Sequence, residues 1–375
     1  MKRILSLCLA FVLIMGLVGC KPNNNEQKDD NSKNTAQTNA LKNLQEIFKG
    51  QELITVAGKE SDENHHIVTI GENGTFTRYA TIKGLKKGKK VNIMQSSDFH
   101  FNKLNQKDLD ENLPIVMDTY KNRTGFRDES SVPAVLAALS HAKNFDALAI
   151  TGDNIDYLTW GSLELLKQHV FDAFPEALVA IGGHDTTRAM GASAQYSEPD
   201  TITDRYAICQ QYWPHDIDYT SKIVEDRVMM IQIDNGRSQY FKGQYEKLQV
   251  DIEKARQENL TILIFQHEPI CTYNRDNVGV YPIVIGGGKG EHFNFYSNCV
   301  GNKRDAEETL MVHKLISSSA DVIKGIFCGH MHANYYTEVS ATYEQNGKTI
   351  DTVIPQYVLS TSGYNQGMIF AITVE

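Results

Sequence analysis

Short runs of apolar residues alternate with amphipathic stretches from residue 91 onward. Short apolar runs are typical of buried strands, whereas apolar residues that recur every three or four positions are typical of helices. In Gln244–Glu258, Leu248 and Ile252 lie on the apolar face and charged residues fill the opposite face. The pattern predicts strands at Val91–Gln95, Ala147–Thr151, Leu178–Ile181, Val228–Ile233, Thr261–Phe265 and Ile323–Cys328, and helices at Ser131–Ala142, Gly161–Phe171, Gln244–Glu258 and Asp305–Ser319.

The order of these elements predicts an α/β fold. Strands that alternate with helices form a largely parallel sheet with right-handed crossovers. The carboxyl-terminal part is rich in β-forming residues and has Gly363 before its last strand. We expect antiparallel strands of a second sheet at Tyr336–Tyr343, Thr352–Ser360 and Met368–Val374.

The segment before residue 90 adds a hairpin to this arrangement. His66–Ile70 and Phe76–Ile82 are joined through Glu72-Asn73-Gly74, a typical turn, and they predict an edge hairpin of the main domain. Leu41–Phe48 predicts a short helix. Together the elements predict a sandwich of two sheets flanked by helices, with ligands bound at the carboxyl ends of the strands.

The first twenty residues have the pattern of a secretory signal. A basic start at Lys2 and Arg3 is followed by the apolar run Ile4–Val18, which is short for a membrane span. The ending Leu17-Val18-Gly19-Cys20 resembles a bacterial lipoprotein box, which implies cleavage before Cys20 and lipid on its sulfur. An uncleaved membrane anchor is the alternative. Either reading places the rest of the chain outside the cytoplasm, and lipid on Cys20 would anchor it to the outer face of the cytoplasmic membrane.

Composition divides the chain further. Residues 20–40 are almost entirely polar and predict a disordered tether behind the signal peptide of residues 1–19. Residues 41–89 form the predicted N-terminal hairpin region, and residues 90–375 form the predicted main domain. The net charge of -9 argues against nucleic acid as a partner, because phosphate backbones require a basic surface.

Four cysteines remain after Cys8 and Cys20 are assigned to the signal region. Cys271 and Cys299 bracket one long loop and are the candidate disulfide pair in an oxidising compartment. Cys328 lies within an apolar run and is predicted to be a buried thiol. The absence of a Cys-x-x-Cys pair in the sequence argues against a thiolate zinc site.

Metal-binding residue types follow the predicted strands in five short motifs. Aspartate oxygens and histidine nitrogens are ligands for divalent cations. Parallel strands deliver these loops to one rim of the sheet, so their repetition predicts a hydrolytic site with two metals. The motifs are Ser97-Asp98-Phe99-His100, Gly152-Asp153-Asn154, Gly182-Gly183-His184-Asp185, His267-Glu268-Pro269 and Gly329-His330-Met331-His332.

The five motifs, in this order, resemble those of the calcineurin-like metallophosphoesterases, and the local strings around Asp98 and Asp153 are most similar to the purple-acid-phosphatase-related branch. The resemblance covers about residues 90–336. It implies a four-layer α/β/β/α sandwich of two mixed sheets and two divalent metals, with zinc, manganese and iron all compatible with the ligands. It assigns one metal to Asp98, His100, Asp153 and His332, and the other to Asp153, His267 and His330.

The resemblance also implies a mechanism. A water activated by the two metals would attack phosphorus in line, and His184 would assist departure of the leaving group. Asp185, the next residue, is the candidate to orient the His184 ring. Residues expected to contact a small phosphate-ester substrate are Asn154 and, in the long loop after His267, Tyr273, Arg275 and His292.

Two positions depart from the family pattern. Gly183 stands where the family has an asparagine whose oxygen binds the second metal, which predicts a weaker second site. Water, Glu291 or His292 are candidates to replace that ligand, and a left-handed backbone would favour glycine here. Asp156 stands where purple acid phosphatases have an iron-binding tyrosine, which argues against an iron–tyrosinate centre.

The leading interpretation is therefore a lipid-anchored, extracytoplasmic phosphoesterase that acts on phosphate mono- or diesters. Two alternatives stay open. One is a surface lipoprotein that keeps the fold with weak or no activity, and Gly183 would be its signature. The other is a solute-binding lipoprotein, which the signal and tether fit equally well.

Overall fold

The structure, a computed structural model, describes residues 54–57, 67–70, 75–123, 125–188, 197, 199–237, 239–270, 307–332, 334–363 and 367–375. The predicted helix at Leu41–Phe48 and the predicted Cys271–Cys299 pair lie outside these residues, as do the signal and tether. Within the described residues, no helix combines the length and the apolar character needed to cross a bilayer.

Seven described strands form a first, mixed sheet in the order β1-β2-β3-β13-β4-β5-β6. β4, β5 and β6 are parallel, whereas β13 runs antiparallel to β4 and parallel to β3. The strands are β1 (Ile54–Ala57), β2 (Ile67–Ile70), β3 (Phe76–Ile82), β4 (Val91–Ser96), β5 (Ala147–Thr151), β6 (Leu178–Ala180) and β13 (Met368–Val374).

Six described strands form a second mixed sheet in the order β11-β12-β10-β9-β8-β7. β8, β9, β10 and β12 are mutually parallel, and β7 and β11 are antiparallel edge strands. The strands are β7 (Tyr219–Val224), β8 (Val228–Ile233), β9 (Thr261–Phe265), β10 (Ile323–Cys328), β11 (Tyr335–Gln345) and β12 (Lys348–Val358).

Alternation of side chains along the strands produces four layers. In β4, Ile93 belongs to the apolar cluster between the two sheets, whereas Met94 faces the cluster under the outer helices. In β8, Met230 packs between the sheets and Ile231 packs toward the helices on the opposite face. Because successive strand residues point to opposite faces, each fully apolar strand is buried on both sides.

Helices cover both outer faces. The first sheet packs against α3 (Val132–Leu139) and α4 (Trp160–Leu166), and the second packs against α6 (Gln244–Glu258) and α7 (Glu307–Ser317). The remaining described α-helices are α1 (Gln106–Glu111), α2 (Pro114–Asn122) and α5 (Ile202–Gln210). This arrangement confirms the predicted α/β sandwich of two mixed sheets flanked by helices.

Two sequence-based expectations about elements need correction. β13 does not join the second sheet but inserts between β3 and β4 of the first. The apolar pattern also misses five described elements: β1, β7, α1, α2 and α5. A sequence signal for two of them was present, since α1 and α5 begin with capping boxes formed by Asn105 with Asp108 and by Thr201 with Asp204.

Candidate metal centre

Metal-binding side chains gather at one rim of the sandwich. They follow β4 and β5 of the first sheet and β9 and β10 of the second, all at the carboxyl ends of parallel strands. This is where α/β sheets bind ligands. The structure brings together all six residues proposed as ligands: Asp98, His100, Asp153, His267, His330 and His332.

The first group consists of Asp98, His100, Asp153 and His332, whose ligand atoms lie within 4.8 Å of one another. His100 Nε2 is 2.8 Å from His332 Nε2. His332 Nε2 is 3.4 Å from Asp98 Oδ1. Atoms that bind one ion at about 2.0–2.2 Å are about 3 Å apart. The spacing therefore suits a shared cation.

The second group consists of Asp153, His267 and His330. His267 Nε2 is 3.2 Å from Asp153 Oδ2 and 3.2 Å from His330 Nδ1. His267 Nδ1 donates to the Thr151 carbonyl oxygen at 2.8 Å, so Nε2 is the ring nitrogen left to bind a cation. Asp153 belongs to both groups and can therefore bridge two cations.

A left-handed backbone aims most of these side chains. Asp98, His100 and Asp153 have φ of 54°, 48° and 49°, and His330 and His332 have φ of 71° and 49°. Residues other than glycine rarely adopt this region, and when they do they cluster at functional sites. At Asp98 and His100 the two left-handed residues, two positions apart, turn both side chains toward the same group.

Glycines allow the ligand loops to approach one another. Gly152 has φ of 87°, and a Cβ atom there would lie 2.6 Å from the His267 ring. A Cβ atom on Gly329 would lie 2.3 Å from Asp98 Oδ2. The Gly329–His330 turn instead places the His330 N–H 3.1 Å from the Asp98 carboxylate. The loops of both sheets are thereby joined through Asp98.

The electrostatics of the site fit a divalent cation. Asp98 and Asp153 are buried, and burial by itself raises the pKa of each carboxyl group. Neighbouring histidines outweigh burial and hold the pKa of Asp153 well below its usual range. Burial lowers the pKa of His100 to about 4 and that of His330 to about 3, so both rings are neutral and present lone pairs at pH 7.

The pKa of His267 indicates that this site favours positive charge. Burial lowers its pKa, but Asp153 outweighs burial and raises the pKa of His267 to about 10. This shift means that Asp153 favours positive charge at the His267 ring. Buried charges need such a partner, and a metal ion supplies more positive charge than the proton that it displaces. The donor set and its charge therefore fit two divalent cations.

His184 lies at the edge of the two groups and reaches solvent. Its side chain is 23 % exposed, and its Nε2 atom is 3.9 Å from Asp153 Oδ2. Its Nδ1 atom donates to the Asp156 carbonyl oxygen at 2.6 Å. Burial lowers the pKa of His184, but Asp153 and Asp156 together raise it to about 9. The ring is held with Nε2 toward the centre as a proton donor.

Asp156 orients this region, a role that the sequence interpretation missed. Its buried carboxylate lies 3.2 Å from His100 Nδ1 and accepts from Arg123 Nε at 2.9 Å. Burial raises the pKa of Asp156, but hydrogen bonds with Arg123, His100 and His184 together outweigh it and lower the pKa. The available signal was its spacing, since Asp156 follows Asp153 by three residues at the end of the same strand.

Asp185 does not contact the His184 ring, which corrects the orienting role expected for it. Its buried carboxylate accepts from the N–H groups of Gly182 at 2.7 Å and Ile155 at 2.8 Å. Asn154 Nδ2 donates to it at 2.9 Å, and Asn154 is fully buried rather than open to substrate. The two residues brace the loops after β5 and β6.

The other expected substrate contacts, Tyr273, Arg275 and His292, lie outside the described residues, as do Glu291 and the lipidation residue Cys20. Cys209 and Cys328 are described, and both are free, buried thiols. Burial raises the pKa of the Cys328 thiol, as expected for a cysteine within an apolar strand.

The loop after β8 contains a second residue group that the sequence interpretation missed. Asp234 is buried and accepts from the Gly236 N–H at 2.9 Å and the Tyr206 hydroxyl at 2.8 Å. Asn235 Oδ1 accepts from the His267 N–H at 3.1 Å, which fixes the loop of that ligand. The loop therefore positions the second ligand group through its hydrogen bond to the His267 backbone.

Asp234 should make folding stability depend on pH. Burial raises the pKa of Asp234 from 3.8 to about 7. The folded state then holds the proton more tightly, so this contribution is present below pH 4 and is lost as pH rises toward 7. The unfolding free energy of Asp234→Asn minus that of the natural protein should therefore increase by about 2–3 kcal/mol from pH 5 to pH 8. Urea denaturation of both proteins at pH 5 and pH 8 measures this change. If the two proteins differed in unfolding free energy by the same amount at both pH values, the raised pKa of Asp234 would be wrong.

No protein-family model matches the chain, and no curated protein is similar enough in sequence to match it. Solved structures do match. A purple acid phosphatase from yellow lupin (Lupinus luteus) seeds has 12% identity and a TM-score of 0.41, over 82% of this chain and 48% of that one. This chain thus spans about half the length of the lupin enzyme.

Two shorter proteins match over most of their length. A dimetal phosphatase from Danio rerio has 10% identity and a TM-score of 0.35, over 72% of this chain and 88% of that one. A calcineurin-like phosphoesterase from Bacillus subtilis has 14% identity and a TM-score of 0.33, over 73% and 82%. At such values these similarities assign neither a family nor an activity to this chain.

Proposed function

We propose that this protein is a metal-dependent phosphoesterase of the calcineurin-like type that hydrolyses phosphate mono- or diesters. The observation that supports this most directly is Asp153. It belongs to both ligand groups and lies beside His184, a histidine that reaches solvent. Hydrolytic sites with two metals place the ions about 3.5–4 Å apart, and a shared carboxylate sets such a spacing.

The bound cations would supply Lewis-acid activation of a water and neutralise charge on the phosphoryl oxygens. The protein's own side chains do the rest. Asp98 and Asp153 hold negative charge at the base of the site, and the neutral rings of His100 and His330 present nitrogen lone pairs. His184 holds a proton at Nε2 for the leaving oxygen, because Asp153 and Asp156 raise the pKa of the ring to about 9 while its Nδ1 proton is donated to the Asp156 carbonyl oxygen.

Metal analysis and a substrate screen test this function. The mature full-length protein should contain zinc, manganese or iron and should cleave p-nitrophenyl phosphate or bis(p-nitrophenyl) phosphate. Metal without turnover of either ester would contradict the enzyme and support an inactive surface lipoprotein. Absence of bound metal after incubation with each ion would contradict the metal centre itself and leave the solute-binding interpretation.

We further propose that the protein is anchored to the outer face of the cytoplasmic membrane. The support is the sequence alone: the basic start, the apolar run and Gly19 before Cys20. Cys20→Ser should abolish incorporation of labelled fatty acid and leave the signal uncleaved, because the lipidated sulfur is lost. Cys209→Ser, at a buried thiol, is the control and should be labelled normally. An unmodified Cys20 in the mature chain, seen by mass spectrometry, would overturn the anchor.

A further inference from the structure

Gly183 and Gly236 bring two loops into backbone contact beside the second ligand group. A Cβ atom on Gly236 would lie 2.8 Å from the Gly182 carbonyl carbon and 3.0 Å from the Gly183 nitrogen. Contacts this short require that neither loop carries a side chain at the crossing. Gly182 in turn lies against Asp153, since a Cβ atom there would be 2.2 Å from Asp153 Oδ1. The crossing therefore adjoins the bridging carboxylate.

The reason for glycine at position 183 is space rather than backbone conformation. Gly183 has φ of -61° and ψ of -38°, which every residue adopts, so the expected left-handed conformation is wrong. Outside Gly183 and its two chain neighbours, the Gly236 carbonyl oxygen is the one described heavy atom within 4 Å of a Cβ atom built on Gly183, at 2.9 Å. A backbone oxygen thus lies closer than normal contact distance to the point where an asparagine side chain would begin.

Three hydrogen bonds fix the loop residues that carry and flank this oxygen. Asp234 Oδ1 accepts from the Gly236 N–H at 2.9 Å. Asn235 bonds to the loop of His267, donating to the Glu268 carbonyl at 2.7 Å. Arg237 Nη2 donates to Thr186 Oγ1 at 2.7 Å, behind His184. The loop is thus attached to both loops that border the second ligand group.

We propose that the Gly236 carbonyl oxygen is a ligand of the cation held by Asp153, His267 and His330, in place of the missing side-chain amide oxygen. The inference rests on the proposed metal centre. Backbone carbonyl oxygens are ordinary ligands for hard cations such as manganese. The second position then has four protein ligands, two oxygens and two nitrogens, rather than the three from which the sequence predicts weak binding.

Manganese titration of the mature full-length protein tests this through affinity. In Gly183→Ala the added methyl group displaces the carbonyl and offers no ligand, so the second Mn²⁺ should bind about 10–100-fold more weakly. Gly183→Asn displaces the carbonyl equally but brings its own amide oxygen, so it should bind the second ion more tightly than Gly183→Ala. Calorimetry and the electron paramagnetic resonance of bound Mn²⁺ both measure this without turnover.

Gly84→Ala is the matched control. Its Cβ atom would lie 2.8 Å from the Glu375 carbonyl oxygen, a similar contact at the opposite end of the sheet. It should leave both Mn²⁺ affinities unchanged. Unaltered binding of the second ion in Gly183→Ala would overturn the proposal, while binding of the first ion and ester turnover would still support the phosphoesterase.

A crystal structure of the natural protein with manganese makes the test independent of variant folding. Anomalous scattering should place the second ion within about 2.5 Å of the Gly236 oxygen. A second ion whose remaining ligand is water, Glu291 or His292 would overturn the proposal, and so would a single ion at the first position. Loss of both ions would instead refute the metal centre.

Discussion

Asp153→Ala should remove both cations and reduce turnover by about three orders of magnitude or more, which corresponds to ~4 kcal/mol of transition-state stabilisation. Asp153 is the one residue shared by both ligand groups. Its loss leaves three candidate side chains at the first position and two histidines at the second. Each of the other ligand substitutions, including His332→Ala, removes a donor from one group and should be less damaging.

The fold should survive this substitution, because Asp153 lies in a loop beyond β5 and not in an apolar cluster. Metal content per chain, turnover and the far-ultraviolet circular dichroism spectrum should be measured together. Asp172→Ala, at an exposed aspartate paired with Lys167, is the control and should keep both metals. Full phosphatase activity in metal-depleted Asp153→Ala protein would rule out the two-metal mechanism.

His184→Asn should lower turnover by about 10²–10⁴-fold while metal content stays the same. His184 belongs to neither of the two ligand groups that share Asp153, but its Nε2 atom faces that carboxylate and its side chain is 23 % exposed. Its Nδ1 is fixed by the Asp156 carbonyl oxygen. The ring is therefore placed to protonate a leaving oxygen. His184 also forms a third set of possible ligands with His100 and Asp156, so the metal content of the variant separates proton donation from ion binding.

The choice of ester makes this prediction specific. A p-nitrophenolate ion leaves without a proton, whereas an alkoxide requires one, so His184→Asn should affect alkyl phosphates more than p-nitrophenyl phosphate. His313→Asn, on α7, is the control and should change neither rate. An equal loss with both esters would argue against proton donation, and a parallel loss of metal would make His184 a ligand.

The local pattern of apolar residues was sufficient to predict the bounds of most core strands. β5, β8, β9, β10 and β13 have the predicted bounds, since a strand buried on both faces reads as an uninterrupted apolar run. The six candidate metal ligands could also be predicted from the sequence, because each follows such a run within a few residues. Ligand type and strand end are both local properties of the chain.

The pairing of strands that are distant in sequence could not be predicted from this local pattern. β13 lies between β3 and β4, some 280 residues away in sequence, and its apolar residues would fit either sheet. Helices α1, α2 and α5 have only six to nine residues; α2 packs in a small apolar cluster with Tyr157, whereas α5 contributes Cys209 to the large cluster under the outer helices. Propensity carries little information for elements of this length.

The sequence by itself determined which residues can bind metal and at which rim they gather, because strand ends and ligand types are encoded locally. Only the tertiary structure decided how they are supported. Asp156, rather than the adjacent Asp185, holds the His184 ring, and the reason for Gly183 is a carbonyl oxygen from Gly236, more than fifty residues away. Such contacts depend on which loops the two sheets bring together, and no periodicity along the chain records that.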